Sequence, residues 1–234
     1  MSSQALEDQT CLEAQDAERA RFLANMSEGL HAMAQPLTIL RTAVAASAAP
    51  GVDGETQRRY LDISSRQMER ACGLFELLRD FVTASQVKAD CAPFDLGALL
   101  ATVTDDQRAL IRALGATLQV ATPETLPTVL GDLSRARQAL LNALNLAASI
   151  SDRGDVVELT VSICGEHVEL IIRNDRMHGK SLKSRERLIL SLAEANVLSQ
   201  RGEYKFAEDP FCVRVRLPIQ PLEPRVAQSD PMIL

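Results

Sequence analysis

The feature that most limits what this chain can fold into is a row of apolar residues at Phe22, Met26, Leu30, Met33, Leu37, Leu40 and Val44. Steps of three and four keep such a row on one side of a helix, so residues 21–47 read as a long helix that buries a seam against partner helices. His31 stands beside this seam, and Glu28, one turn before it, and Gln35, one turn after it, share its face. Pro36 follows inside the same helix. Its missing N–H leaves the Ala32 carbonyl without a helical partner, a defect that costs about 3 kcal/mol in an ordinary helix. A defect of that size next to a polar face points to function rather than to plain scaffold.

Ala49-Pro50-Gly51-Val52-Asp53-Gly54 is a turn sequence that ends the first helix near Ala48. A second helical pattern runs over residues 55–86. It carries Tyr60, Ile63, Ala71, Leu74, Leu78 and Phe81 on one side and Leu61, Met68, Cys72 and Phe75 beside them. Two antiparallel helices cannot cover stripes this wide on each other alone. The natural solution is a two-fold homodimer forming a four-helix bundle; a monomeric hairpin covered by the rest of the chain is the alternative. Residues 1–20, charged and rich in Ala and Glu, read as a solvated lead-in to the first helix.

Past a short linker at residues 88–93 the pattern changes. A helix is predicted over 96–114, a short strand over 117–121, an extended piece over 126–130 and a helix over 133–150. A hairpin of strands 156–164 and 168–173 turns at Gly165-Glu166, followed by a helix over 183–200 and strands over 204–207 and 211–217. The expected fold is α+β: a long antiparallel helical hairpin (residues 1–88), then an α/β sandwich (94–218) with a mixed sheet covered on one face by helices, then an extended tail (219–234).

With 46% apolar residues in 234, the chain can bury real cores. A net charge of −6 without a dense basic patch argues against nucleic-acid partners. No apolar run approaches a membrane span and the start MSSQALEDQT has no signal-peptide core, so no membrane partner and a cytoplasmic location are expected. Cys11, Cys72, Cys91, Cys164 and Cys212 are scattered with no CxxC pair, which fits reduced thiols and neither zinc nor a disulfide frame. His167, after a hairpin turn, reads as a surface residue, and His178 as surface or core.

Ala24-Asn25-Met26-Ser27, then His31, then Gln35-Pro36-Leu37-Thr38, resembles the H-box of sensor histidine kinases. In that family the histidine takes the γ-phosphoryl of ATP and passes it to an aspartate of a response-regulator receiver domain. One departure is Ala32, where the family has an acidic residue. The second half resembles the family's ATP-binding domain, the GHKL or Bergerat fold. The resemblance lies in Phe94-Asp95-Leu96, Leu126-Pro127-Thr128-Val129-Leu130-Gly131-Asp132, Arg137-Gln138-Ala139-Leu140-Leu141-Asn142, and the segment from Leu192-Ala193-Glu194 through Phe211 to Pro218. Together the two cover nearly everything from about Ala20 to Pro218.

Against that family, the nucleotide-binding parts are degenerate. The second asparagine of the N-box, which holds Mg²⁺, is replaced by Leu146, and Asn145 is out of phase by about 100° on the helix. Where an Asp-x-Gly-x-Gly loop should read adenine, the chain has Arg173-Asn174-Asp175-Arg176-Met177-His178-Gly179, and the second glycine-rich box and its lid are missing. The resemblance therefore implies no bound ATP and no cofactor of this chain's own, with Mg²⁺ supplied by a partner receiver. A shifted register through Asn145 and Asp175 is the remaining route to a nucleotide.

The expected function is that of a histidine phosphotransferase in bacterial two-component signalling, a homodimer passing phosphoryl groups between His31 and receiver aspartates. An imidazole nucleophile needs one nitrogen exposed and the other held as N–H. Glu28, Gln35 or a group of the second subunit would stand in for the acid that Ala32 lacks. Thr38, Arg41, Thr42, Arg58 and Arg59 form the expected receiver-binding surface. Two alternatives are a pseudokinase acting as a scaffold or inhibitor, and a divergent active kinase.

Overall fold

The computed structural model describes residues 3–174 and 181–220 and, of residues 3–15, 17 and 18, the backbone alone. Helices α1 (Ser3–Ser47) and α2 (Gly54–Gln86) form the antiparallel hairpin. The first helix reaches back to Ser3, so the expected lead-in is itself helical. Asp53 starts α2 as its N-cap, its carboxylate accepting from the Thr56 amide at 2.8 Å, the Thr56 hydroxyl at 2.7 Å and the Glu55 amide at 3.0 Å. The Thr56 amide, followed by its hydroxyl, holds this carboxyl below its ordinary range.

The seam of α1 differs from the expected one. Phe22, Met26, Met33 and Leu40 are half-buried, but Leu30, Leu37 and Val44 are exposed. The fully buried positions are instead Gly29, Pro36 and Ala43, at seven-residue steps. Along α2, Ser64, Ala71 and Leu78 are buried at the same steps. On α1 the inner seam is thus built from small residues that let the helices approach closely, whereas α2 contributes the large buried side chains Leu74, Leu78 and Phe81. At Gly29 the approach is closest: a Cβ there would run into Leu78 Cδ2 and lie 3.4 Å from Leu188 Cδ2 of the second domain. Gly29→Leu should therefore cost about 1–3 kcal/mol through overpacking, outweighing the roughly 1 kcal/mol of helix propensity gained. A fall in the thermal midpoint would confirm this, and an unchanged or raised midpoint would contradict it.

The second domain comprises β1 (Ala92–Asp95), α3 (Leu96–Ala113), β2 (Thr117–Ala121), β3 (Thr128–Gly131), α4 (Leu133–Ser149), β4 (Val156–Cys164), β5 (His167–Asn174), α5 (Ser184–Leu198), β6 (Glu203–Ala207) and β7 (Phe211–Pro218). Strand β1 begins inside the stretch expected to be linker and pairs antiparallel with β3, with Pro93 opposite Leu130. A two-stranded sheet has only edge strands, where proline is tolerated. The main sheet runs β2-β4-β5-β7-β6, parallel between β2 and β4 and antiparallel elsewhere. Alternation sends Val157, Leu159 and Val161, Leu170 and Ile172, and Val213 and Val215 inward onto Ala139, Leu140, Ala143 and Leu144 of α4. The other face is polar, with Arg216 bonded to Glu169 at 2.8 Å and to Glu203 at 3.2 Å. Among the described residues no helix is long and apolar enough to cross a membrane.

Helix α5 joins the two halves. Its Leu188 and Leu192 are buried with Leu74, Leu78 and Phe81 of α2, and Phe22, stacked on Phe81 at 5.5 Å, packs against the same cluster. A polar clamp sits at the end of α2. Arg135 of α4 donates to the carbonyls of Ala84 (2.9 Å) and Val87 (2.7 Å) and to the Ser199 hydroxyl (2.7 Å), and lies 3.4 Å from the Asp132 carboxylate. The guanidinium thereby satisfies carbonyls that a helix end leaves open. Beside it, buried Gln200 accepts from the Asp132 amide at 3.0 Å, and buried Asn196 donates to Gln138 at 3.2 Å.

A candidate phosphoacceptor groove

His31 is exposed on α1, two residues past Gly29 and beside the exposed Leu30. An open groove of about 900 Å³ runs beside it. His31, Ala32 and Gln35 of α1 form one wall, Glu69, Arg70 and Gly73 of α2 a second, and the start of α5, including Lys183 and Arg185, a third. Of the two groups expected beside the imidazole, Gln35 lines this groove and Glu28, which is half-buried, does not. Glu69 lines it too, a carboxylate that the spacing around His31 gave no reason to single out, because it comes from the other helix.

Arg41, Arg58 and Arg59 are exposed. Thr38 and Thr42 are also exposed, but their hydroxyls donate to the carbonyls of Ala34 (2.8 Å) and Thr38 (3.0 Å) one turn back. Those hydroxyls give their proton to the helix and are left as acceptors, so among these five residues the side-chain donors toward a partner are the arginines. His167 opens β5 half-buried, away from the α1 groove.

In the second domain, Leu146 is buried at 1% exposure on α4 and offers no oxygen or nitrogen to a cation. Asn142 and Asn145 are half-buried, and Asn142 Nδ2 and Asn145 Oδ1 lack hydrogen-bond partners among the described residues. Asp175, His178 and the rest of the stretch expected to replace the adenine loop lie outside the described residues. Among those described, no group of three or more His, Cys, Asp and Glu could hold a metal ion.

A smaller cavity of about 370 Å³ lies between α1, the end of α2 and α5, lined in part by Arg21, Phe22, Phe81 and Glu194. Burial pushes the Glu194 carboxyl above its ordinary range, against the pull of Arg21 at 3.8 Å. Burial, reinforced by the Glu194 charge, likewise raises the Tyr204 phenol.

No family model and no curated protein matches this sequence. Among solved structures, the histidine kinase AdeS of Acinetobacter baumannii superposes with a TM-score of 0.60 at 17% identity, over 81% of this chain and 98% of that one. Histidine kinase ThkA, in its complex with the response regulator protein TrrA, superposes with a TM-score of 0.67 at 19% identity, over 89% of this chain and 65% of that one. Full-length ShkA, solved with AMPPNP, gives 0.53 at 18% identity over 88% of this chain and 44% of its own. At these identities the likeness defines the fold, which is that of a histidine kinase: a helical hairpin followed by a mixed α/β domain.

Proposed function

We propose that this chain is a histidine phosphotransferase of two-component signalling, which moves phosphoryl groups between His31 and receiver-domain aspartates and does not use ATP. The observation that carries the reading is the contrast between its two candidate sites. His31 is exposed in an open groove, whereas the position that would ligate magnesium is the buried Leu146. Among the described residues, an apolar side chain at the magnesium position speaks against a magnesium–nucleotide site. Receiver chemistry demands less of this chain, because the receiver brings its own Mg²⁺ and lysine and positioning is the main task left. That ThkA has been solved with a response regulator supports a receiver as the partner class.

The reading is tested by incubating the full chain with a panel of phosphorylated receiver domains and following acid-labile phosphate. Transfer from at least one receiver is expected; stable binding without transfer would favour a scaffold instead. Millimolar Mg-ATP should neither bind by calorimetry nor label the chain, and Leu146→Asn alone should not restore binding. Micromolar binding to the wild type would establish the divergent-kinase alternative.

A further inference from the structure

The wall of the groove facing His31 is basic, in a chain whose net charge is −6. Arg70, Lys183 and Arg185 are exposed, and their side chains have no hydrogen bond or ion pair among the described residues. The other charges at this end of α5 are already engaged. Arg187 donates to the Leu182 carbonyl at 3.2 Å and pairs with Glu208 at 3.3 Å, and Glu186 accepts from the Lys183 amide at 2.7 Å. Among the described residues lining the groove, Glu69 is the one acid without such a tie. Among the described residues, three free cations therefore line the groove beside the nucleophile against one free carboxylate. The wall is also held in place, since Leu188 and Leu192 anchor α5 in the hairpin core and Arg135 clamps α4 to the end of α2.

We propose that Lys183 and Arg185 at the start of α5, together with Arg70 of α2, form an anion cradle that holds the phosphoryl group while His31 carries it. This rests on the phosphotransfer reading above and assigns the second domain a part in it. In the step concerned, the lone pair of one imidazole nitrogen attacks the phosphorus of a receiver's aspartyl phosphate. The N–P bond forms, the P–O bond to the aspartate breaks with its electron pair leaving on the carboxylate, and the ring keeps its proton on the other nitrogen. Return transfer runs the same bonds backwards. Guanidinium and ammonium groups suit the phosphoryl oxygens, whose charge is carried through the transition state. With Ala32 in place of an acid, less help comes from the ring's own neighbours and more must come from holding the phosphoryl.

The experiment uses the full chain with phosphoramidate as donor, which loads histidine without a receiver: the N–P bond to His31 forms as the donor's P–N bond breaks and ammonia leaves. Labelling rates are compared for the wild type, the double variant Lys183→Ala/Arg185→Ala, and a control, Arg112→Ala/Lys205→Ala, that removes two exposed cations elsewhere. In parallel, inorganic phosphate is titrated while the His31 ring resonances, assigned by their loss in His31→Gln, are followed by NMR. The cradle predicts about a tenfold slower labelling in the double variant, near wild-type labelling in the control, and phosphate-dependent His31 shifts that the double variant abolishes and added salt weakens. Equal loss in the control, or wild-type labelling and shifts in the double variant, overturns the cradle and leaves phosphotransfer standing. Phosphate shifts abolished by the double variant with no labelling of any form uphold the cradle as an anion site and remove the phosphotransfer reading.

Discussion

His31→Gln should reduce acid-labile phosphate on the chain to background, a loss of at least a hundredfold, while the fold and receiver binding persist. Glutamine keeps the polarity and approximate size of the side chain but offers no nucleophilic ring nitrogen. Because His31 is exposed on the flank of α1, the substitution should leave stability within about 0.5 kcal/mol. Arg41→Glu should give the complementary result. Arg41 is exposed along the same helix, and a reversed charge there weakens encounter with an acidic receiver without touching the nucleophile. Its transfer rate should fall at low receiver concentration, recover at high concentration, and differ less from wild type as salt rises. Labelling that survives His31→Gln would place the acceptor elsewhere.

How far the site was legible depended on whether its parts lie on one helix. His31, Gln35 and Pro36 sit within two turns of each other, so local spacing was enough to bring them forward. The groove walls could not be read in that way. Arg70 is on the antiparallel helix and Lys183 and Arg185 are more than a hundred residues downstream, and only the docking of Leu188 and Leu192 sets them opposite His31. The seam was half legible for a related reason. Large apolar residues mark where burial is possible, but here Gly29, Pro36 and Ala43 take the inner positions, and small residues carry no hydrophobic signal to announce close approach. The sheet was clear because the alternation in β4, β5 and β7 follows the pleat with one face buried. Strand β1 was not, being four residues long with a proline in it.

The outward-facing half of that seam leads to the other large effect: Leu30→Asp should convert a dimer into a folded monomer. Leu23, Leu30, Leu37 and Val44 recur every seven residues on α1, and Leu61, Met68 and Phe75 do so on α2, all between 45% and 60% exposed in the single chain. A heptad stripe on both helices of one hairpin is what a second hairpin covers when two copies close a four-helix bundle. Within one chain Leu30 is already 58% exposed, so aspartate there disturbs the monomer little. Across a two-fold interface it acts twice, removing about 1–2 kcal/mol of the remaining apolar burial per copy and leaving two desolvated carboxylates without partners. The dimer should weaken by about a thousandfold or more. Light scattering on the full chain would report halved mass with unchanged helical circular dichroism. A wild type that is already monomeric at about 100 μM would overturn the bundle, and a dimer that survives the substitution would place the interface on another face.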